Sequence, residues 1–182
     1  MKTKWGILII ILIWILVLAG IIFKHNDVVL KGKVIILKTE PIDPRDPFKG
    51  DYVNLQFDIS RIRQPLTSEQ KTDLLRNHKV FAVLKPANDG NTNYFVLDYF
   101  TTKRPNSSKV FIQGWVWGEL DNWMRVQYNI ESYYVPEGKG KEIEGHLGKD
   151  LFVEIYLDYK GSAFLKSLIL NNKPYIFTNP KK

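Results

Sequence analysis

Apolar and polar residues alternate along much of this chain, and the alternation predicts strands. In residues 53–59 and again in 124–130, every second side chain is apolar and the residues between are polar. A period of two places the apolar side chains on one face of a strand, which is typical of half-buried antiparallel sheets. Further β-rich runs, separated by turn-forming residues, lie at about 28–38, 79–86, 93–101, 109–117, 151–159, 163–170 and 174–178. The pattern predicts a mainly β (α+β) domain with an antiparallel sheet.

Two short segments are predicted to be helical. Thr67 to Gln70 has the form of a capping box, in which a Thr is followed three residues later by a Gln, and it predicts a helix at about 67–76. Residues 139–147 carry apolar side chains at helical spacing, but Gly140 and Gly145 oppose a helix there by up to about 1 kcal/mol each.

The order strand, strand, helix, strand, strand occurs twice, in residues 28–104 and in 105–182. KVIIL (33–37) resembles KVFIQ (109–113), and KVFAVL (79–84) resembles LFVEIYL (151–157). Either a duplicated β-β-α-β-β unit or the general likeness of alternating strands accounts for this. In a duplicated unit each half alone would leave a sheet face bare, so the halves would pack on each other.

The N-terminus departs from the alternation. Residues 5–23 contain no charged residue, after a start that carries Lys2 and Lys4. A helix of nineteen residues is about 28 Å long, close to the thickness of the hydrocarbon core of a bilayer. A signal peptide cleaved near Ala19 is the alternative, but the apolar run continues past that point. The segment therefore predicts a single-pass transmembrane anchor.

This interpretation divides the chain into two parts. Residues 1–27 form a cytoplasmic stub with the transmembrane anchor, and residues 28–182 form an extracytoplasmic β domain at the cell membrane. Large domains translocate largely regardless of their own charges, so the excess of Lys after the anchor does not oppose this orientation.

Composition narrows the function further. The formal net charge is +7, and the chain contains no cysteine, which excludes disulfides and thiolate chemistry. A basic surface beside anionic lipid explains the charge, and no nucleic-acid motif accompanies it, so we expect no nucleic-acid partner. The three histidines have no spacing typical of zinc ligands. We expect neither a metal nor a cofactor.

The most unusual segment is PIDPRDPFKGDY, residues 41–52. Three prolines restrict its backbone and produce a rigid, extended loop that presents its charged side chains. The charges can cap turns, supply oxygen ligands to a hard cation such as calcium, or form a recognition surface in which Arg45 and Lys49 bind carboxylate or phosphate. The calcium interpretation is opposed by those two cations.

PIDPRDPFKGDYVNLQFDI resembles the defining segment of the GDYXXLXY family, with Phe57 in place of the final Tyr of the motif. IESYYVPEGKGKEIE, residues 130–144, resembles a second signature of the family, a stretch of the type Y-x-V-P-E-G-x-G. The resemblance implies a small bacterial membrane-anchored protein that acts with a multi-pass membrane protein, and it implies no particular activity.

The candidate binding residues come from these two segments. They are Asp43, Arg45, Asp46, Lys49, Gly50, Asp51 and Tyr52, with Tyr133, Tyr134, Pro136, Glu137 and Gly138. The sequence leaves open whether the two segments meet or face away from each other.

Two functions from different classes fit these residues. The first is an accessory or interaction module, without catalytic residues, that binds a multi-pass membrane partner or an envelope ligand. The second is a cell-envelope hydrolase directed at glycans, in which Glu137 pairs with Asp46 or Asp51. Trp115 and Trp117 share one face of a predicted strand, where they either pack in the core or form an exposed aromatic surface for a sugar, a lipid or a protein.

Overall fold

The computed structural model describes residues 5–6, 9–20, 32–41, 52–63, 67–120 and 123–175. Residues 5–6 and 9–20 are helical, and the longer run is α1. The large apolar side chains of this N-terminal region are 49–66 % exposed. Within the described ranges, no helix has the length and apolarity that crossing a membrane requires. The predicted anchor at 5–23 extends outside these ranges and stays a prediction.

Most of the described chain after residue 32 is β structure. The strands are β1 Lys33–Lys38, β2 Tyr52–Asn54, β3 Arg61–Ile62, β4 Lys79–Asn88, β5 Asn93–Thr101, β6 Val110–Leu120, β7 Trp123–Gln127, β8 Ser132–Tyr134, β9 Leu151–Leu157, β10 Ala163–Leu170 and β11 Lys173–Pro174. Among the described residues, nine strands form one sheet in the order β11-β10-β9-β1-β5-β4-β6-β7-β3, and β2 pairs with β8 in a second sheet. The prediction of a mainly β fold is confirmed.

The large sheet is mixed, which corrects the prediction of an antiparallel sheet. The pair β1–β5 is parallel, with Leu37 opposite Phe95, whereas the neighbouring pairs β1–β9 and β4–β5 are antiparallel. Two parallel strands need a long crossover rather than a hairpin. The chain between β1 and β5 provides one, because it passes through β2, β3, a helix and β4 before β5 begins.

The helices are short. Residues Ser68–Asn77 form α2, as the capping box predicts, and Gly140–Glu144 form α3, followed by turns up to residue 150. The regular helix at 139–147 is therefore shorter than its apolar spacing indicates, and it ends beside Gly145.

The alternating segments bury the side chains that the pattern selects. Every apolar position of 53–59 and of 124–130 is at most 2 % exposed, while the residues between are partly or fully exposed. Regular strand pairing is shorter than the pattern, because residues 58–60 form a 3₁₀ turn and residues 128–131 form a bend before β8. Burial follows the apolar period here even where the ladder of backbone hydrogen bonds ends.

The first and second halves of the domain exchange strands. The β9–β10 hairpin takes β1 as its next neighbour, and the β4–β5 hairpin takes β6. Both contacts are antiparallel, with Val34 opposite Tyr156 and Val110 opposite Leu84. Each half therefore completes its sheet only with a strand from the other half, and the main core is shared between them.

The turn between β9 and β10 lies against β6. Gln113 N donates to Gly161 O at 2.7 Å, and a Cβ on Gly161 would lie 2.8 Å from the Phe111 ring. Gly161 also has a φ of +88°, which a side chain disfavours. The turn between β9 and β10 is therefore held against β6. The first residue of β1, this turn and the loop before β6 lie together at one end of the domain.

Candidate functional site

The structure brings the two signature segments together. β2, which follows the Gly-Asp of the first signature, pairs antiparallel with β8 of the second, so Tyr52 lies opposite Tyr134 and Val53 lies opposite Tyr133. The hydrogen bond from Leu55 N to Glu131 O, at 2.6 Å, extends this ladder. The described part of the first signature, from Tyr52 onward, therefore meets the second.

Opposite residues of an antiparallel pair point to the same side, so the two faces of this small sheet differ. Tyr52 is half-buried and Tyr134 is 80 % exposed, and their ring centroids lie 6.1 Å apart. On the other face Val53 is fully buried, and burial raises the pKa of the half-buried Tyr133. The exposed surface therefore carries Tyr134 and not Tyr133.

The second signature continues this surface after β8. Pro136, Glu137 and Gly138 are exposed, and Gly138 has a φ of +79° in the turn that leads to α3. Ile143 of α3 is 1 % exposed and anchors the helix beneath. We call Tyr52, Tyr134, Pro136, Glu137 and Gly138 the paired-signature surface.

Six candidate residues lie outside the described ranges. They are Asp43, Arg45, Asp46, Lys49, Gly50 and Asp51, all within residues 42–51. Their roles stay predictions, but both ends of the segment are described. Pro41 precedes it, and Tyr52, which follows it, lies in the paired-signature surface.

A buried threonine, Thr39, fixes the chain just before Pro41, the first residue of the proline-rich segment. Thr39 is 2 % exposed, its Oγ1 donates to Leu151 O at 2.8 Å, and it accepts from Gly148 N at 3.1 Å. The next residue, Glu40, donates its backbone N–H to Gln56 O at 2.7 Å. Sequence reasoning missed Thr39 and Gly148, because they lie 109 residues apart in the chain and neither belongs to a motif.

Charged side chains surround this position. Glu40 is partly buried and pairs with Arg63 at 3.3 Å and with Arg61 at 3.8 Å, while Arg63 also lies 3.9 Å from Asp58. A pocket of about 260 Å³ opens beside Glu40, and its lining includes Asp58 and Pro41. The start of the proline-rich segment is thus fixed on a charged and partly concave surface.

We expect Thr39→Val to reduce the free energy of unfolding by about 1–3 kcal/mol, because Gly148 N would lose its acceptor and Leu151 O would keep only the longer bond from Thr39 N, at 3.3 Å. The measurement is urea unfolding of the full chain in detergent, followed by tryptophan fluorescence. Thr72→Val is the matched control, since the Thr72 hydroxyl bonds Ser68 O on an exposed helix and its loss should cost much less. Equal costs for the two variants would contradict the role assigned to Thr39.

The described carboxylates act mainly in structural contacts. Glu131 accepts from Tyr128 N at 2.6 Å, and Asp158 accepts from two backbone N–H groups of its own turn. Hydrogen bonds from Lys139 and then Tyr175 lower the pKa of Glu142, whereas a general acid would need a raised one. Among the described residues, no group of three or more His, Asp or Glu side chains is placed to hold a metal ion.

The two tryptophans of β6 are exposed, so they do not pack in the core. Trp115 is 41 % and Trp117 is 73 % exposed, and Trp117 lies at an irregularity of the β6–β7 register. They form a second exposed aromatic surface, on the central sheet and not on the β2–β8 pair.

The fold and the two joined signatures define a mainly β protein of mixed-sheet architecture with an apolar helix at its N-terminus. A family model described as GDYXXLXY protein matches residues 14–168. The chain belongs to the GDYXXLXY family. No curated protein and no solved structure matches it.

Proposed function

We propose that this protein is a membrane-anchored interaction module whose paired-signature surface binds the extracytoplasmic part of a multi-pass membrane protein or an envelope ligand. The observation that carries the proposal is the pairing of β2 with β8, which joins two segments about 80 residues apart into one exposed surface.

The proposed anchor is the apolar segment 5–23. Its described part, α1, carries large apolar side chains that are 49–63 % exposed, and exposed apolar surface of this extent is typical of contact with lipid or protein. With a short cytoplasmic N-terminus, residues 28–182 lie outside the cytoplasm.

The direction of β1 supports a position of the paired-signature surface away from the bilayer. β1 begins at Lys33, ten residues after the apolar segment, and ends at Lys38, about 17 Å further along the strand. Thr39 and Pro41 follow at that far end, and the bridge between Thr39 and Phe57 directs β2 beyond it.

The chemistry of the surface suits protein recognition. Tyrosine is enriched in the residues that dominate binding energy, because it offers a large rigid area and a polar hydroxyl. Tyr134 projects with four-fifths of its surface free. Arg45 and Lys49 of the adjoining segment would add cations for a carboxylate or phosphate on the partner.

The likeness of the two halves supports an origin by duplication, which we include in the proposal. The strand exchange is equivalent on the two sides: β1 pairs antiparallel with β9, and β6, which aligns with β1, pairs antiparallel with β4, which aligns with β9. A helix precedes β4 and β9 alike. General likeness of alternating strands would not by itself give the same pairing of strands twice.

The test is photocrosslinking in native membranes. A photoreactive residue at position 134 should give a discrete adduct with a membrane protein or an envelope component, and Tyr134→Ala should lower recovery of that component at least tenfold, as expected for loss of a dominant contact. Arg45→Ala and Asp51→Ala should also reduce recovery while the domain stays folded.

Position 117 provides the matched comparison, since Trp117 is an aromatic of similar exposure on the other aromatic surface. An adduct that forms at 117 and not at 134, or recovery that falls with Trp117→Ala and not with Tyr134→Ala, would assign binding to the β6 surface and overturn the proposal.

A further inference from the structure

Four basic side chains lie around a pocket at one end of the domain. The pocket has a volume of about 270 Å³, and its lining includes Lys33, Lys109, Ser107 and Tyr159. Arg104 donates to Tyr159 O at 2.9 Å, and Lys160 Nζ lies 5.4 Å from the centre of the Tyr159 ring, so two more cations border it.

Three parts of the chain build this pocket, and contacts fix them together. Arg104 joins the loop before β6 to the β9–β10 turn, and the bond from Gln113 N to Gly161 O joins the same turn to β6. Lys33, the first residue of β1, lies opposite Leu157 at the end of β9. The pocket is therefore a fixed feature of the domain and not a chance arrangement of free loops.

The charges of the pocket are available to a ligand. Within the described ranges, none of its four cations forms an ion pair with a carboxylate. Asp158 lines the pocket, but its Oδ1 accepts from Lys160 N at 2.8 Å and Ser162 N at 2.7 Å. A hydrogen bond with the Tyr99 hydroxyl raises the pKa of Lys109, so that amine stays charged. The charge of Asp98 also raises this pKa, but the Asp98 carboxylate forms its ion pair with Lys85, at 3.4 Å.

The composition of the pocket fits a phosphate group at a membrane surface. Ser107 and Ser108 are exposed beside Lys109. The Ser107 hydroxyl donates to Asn106 Oδ1 at 3.3 Å, and the Ser108 hydroxyl can donate to a ligand. Tyr159 is 76 % exposed at the rim, and tyrosine is enriched at the level of lipid headgroups. Lys33 is the tenth residue after the apolar segment, and a chain of that length reaches at most about 36 Å.

We propose that this pocket binds the phosphate of an anionic phospholipid headgroup, and so seats the domain on the bilayer with the paired-signature surface pointing outward. The inference depends on the membrane anchor of the proposed function. Binding would be strengthened by the anchor, which keeps the pocket within reach of the lipid.

The absence of cysteine allows a direct test with single-cysteine variants of the full chain. Ser107→Cys is reconstituted in nanodiscs of phosphatidylcholine, with and without phosphatidylglycerol, and labelled with a water-soluble thiol reagent. We expect labelling at least fivefold slower with phosphatidylglycerol, since one basic residue near an anionic surface contributes about that factor. Tyr134→Cys, at the far surface, should be labelled at equal rates in the two discs.

Charge variants identify the groups responsible. Lys109→Gln with Lys160→Gln should remove most of the protection, whereas Lys141→Gln with Lys173→Gln, the same change of net charge elsewhere on the exposed surface, should leave it intact. Equal loss with both pairs would indicate general attraction and overturn the pocket as a site.

The remaining outcomes separate the two proposals. A chain that fails to incorporate into discs of either lipid lacks the anchor, and this rejects the proposed function. A chain that incorporates into both discs but is labelled at equal rates keeps its anchor and rejects the lipid site. If millimolar inorganic phosphate protects Ser107→Cys equally well in phosphatidylcholine discs, the ligand is a soluble anion, which rejects the lipid as its source.

Discussion

Tyr128→Ala should reduce the free energy of unfolding by about 3–5 kcal/mol, the range for removal of a buried aromatic side chain. Tyr128 is 1 % exposed, and a Cβ built on Gly114 would lie 2.7 Å from its ring, so the ring packs directly on the β6 backbone. Its hydroxyl donates to Ile59 O in the 3₁₀ turn after β2. Because small domains are stable by about 5–15 kcal/mol, this variant should lose a large part of its stability.

Tyr128→Phe separates the two contributions. It keeps the ring and leaves Ile59 O without its partner, which should cost about 1–3 kcal/mol. Tyr134→Ala is the exposed control and should change stability by less than about 0.5 kcal/mol. Urea unfolding in detergent measures all three, and similar values for Tyr128→Ala and Tyr134→Ala would contradict the packing described.

Tyr128→Phe should also differ from the unsubstituted protein in how its stability depends on pH. Burial, and then the charge of Glu131, raise the pKa of the Tyr128 phenol well above its usual value, so it stays neutral in the folded protein while the unfolded chain ionises near pH 10. Its contribution is complete below pH 10 and is lost as the pH rises above that value. The loss of stability between pH 8 and pH 10.5 should therefore be smaller in Tyr128→Phe than in the unsubstituted protein.

Gly148→Ala should cost about 2–5 kcal/mol and displace the start of the proline-rich segment. Gly148 has a φ of +73°, and a Cβ there would lie 2.3 Å from Pro41 Cδ and 2.6 Å from its backbone N. A proline ring cannot rotate away, so backbone must move, and the bond from Gly148 N to Thr39 Oγ1 is disturbed as well. Urea unfolding measures the cost, and recovery of the crosslinked component measures the effect on binding.

Gly90→Ala is the matched control. Gly90 also has a positive φ, +94°, but no atom lies within 4 Å of its added Cβ. It should therefore show only the cost of the left-handed backbone, about 1–2 kcal/mol, with no change in binding. A loss of stability in Gly148→Ala no larger than that in Gly90→Ala would show that the contact with Pro41 does not matter.

Several parts of the structure could be predicted from local sequence. The buried sets in 53–59 and 124–130 follow from the period of two, and α2 follows from its capping box. The parallel neighbours β1 and β5 could not be predicted, because no local pattern records which strand ends lie side by side. The irregular backbone at 58–60 was also missed, since burial of every second side chain does not require a continuous ladder.

The candidate site could be predicted only in part, because some of its features follow from neighbouring residues and others from contacts between distant ones. Both signatures, and thus Tyr52 and Tyr134, could be selected from their residues alone. The inward position of Tyr133 depends on its register opposite Val53, and the support that Thr39 and Gly148 give to Pro41 depends on contacts across more than 100 residues. The basic pocket was invisible for a similar reason, because Lys33, Arg104 and Lys160 come from three distant segments.

The sequence by itself determined the family, the β character of the domain and the apolar N-terminal segment, because each is written in neighbouring residues. Only the tertiary structure decided that the two signatures form one surface, that the halves exchange strands and that the cations collect at the end where β1 begins. Those features arise from packing and register between strands, and the free energy that selects them comes from contacts between residues far apart in the chain.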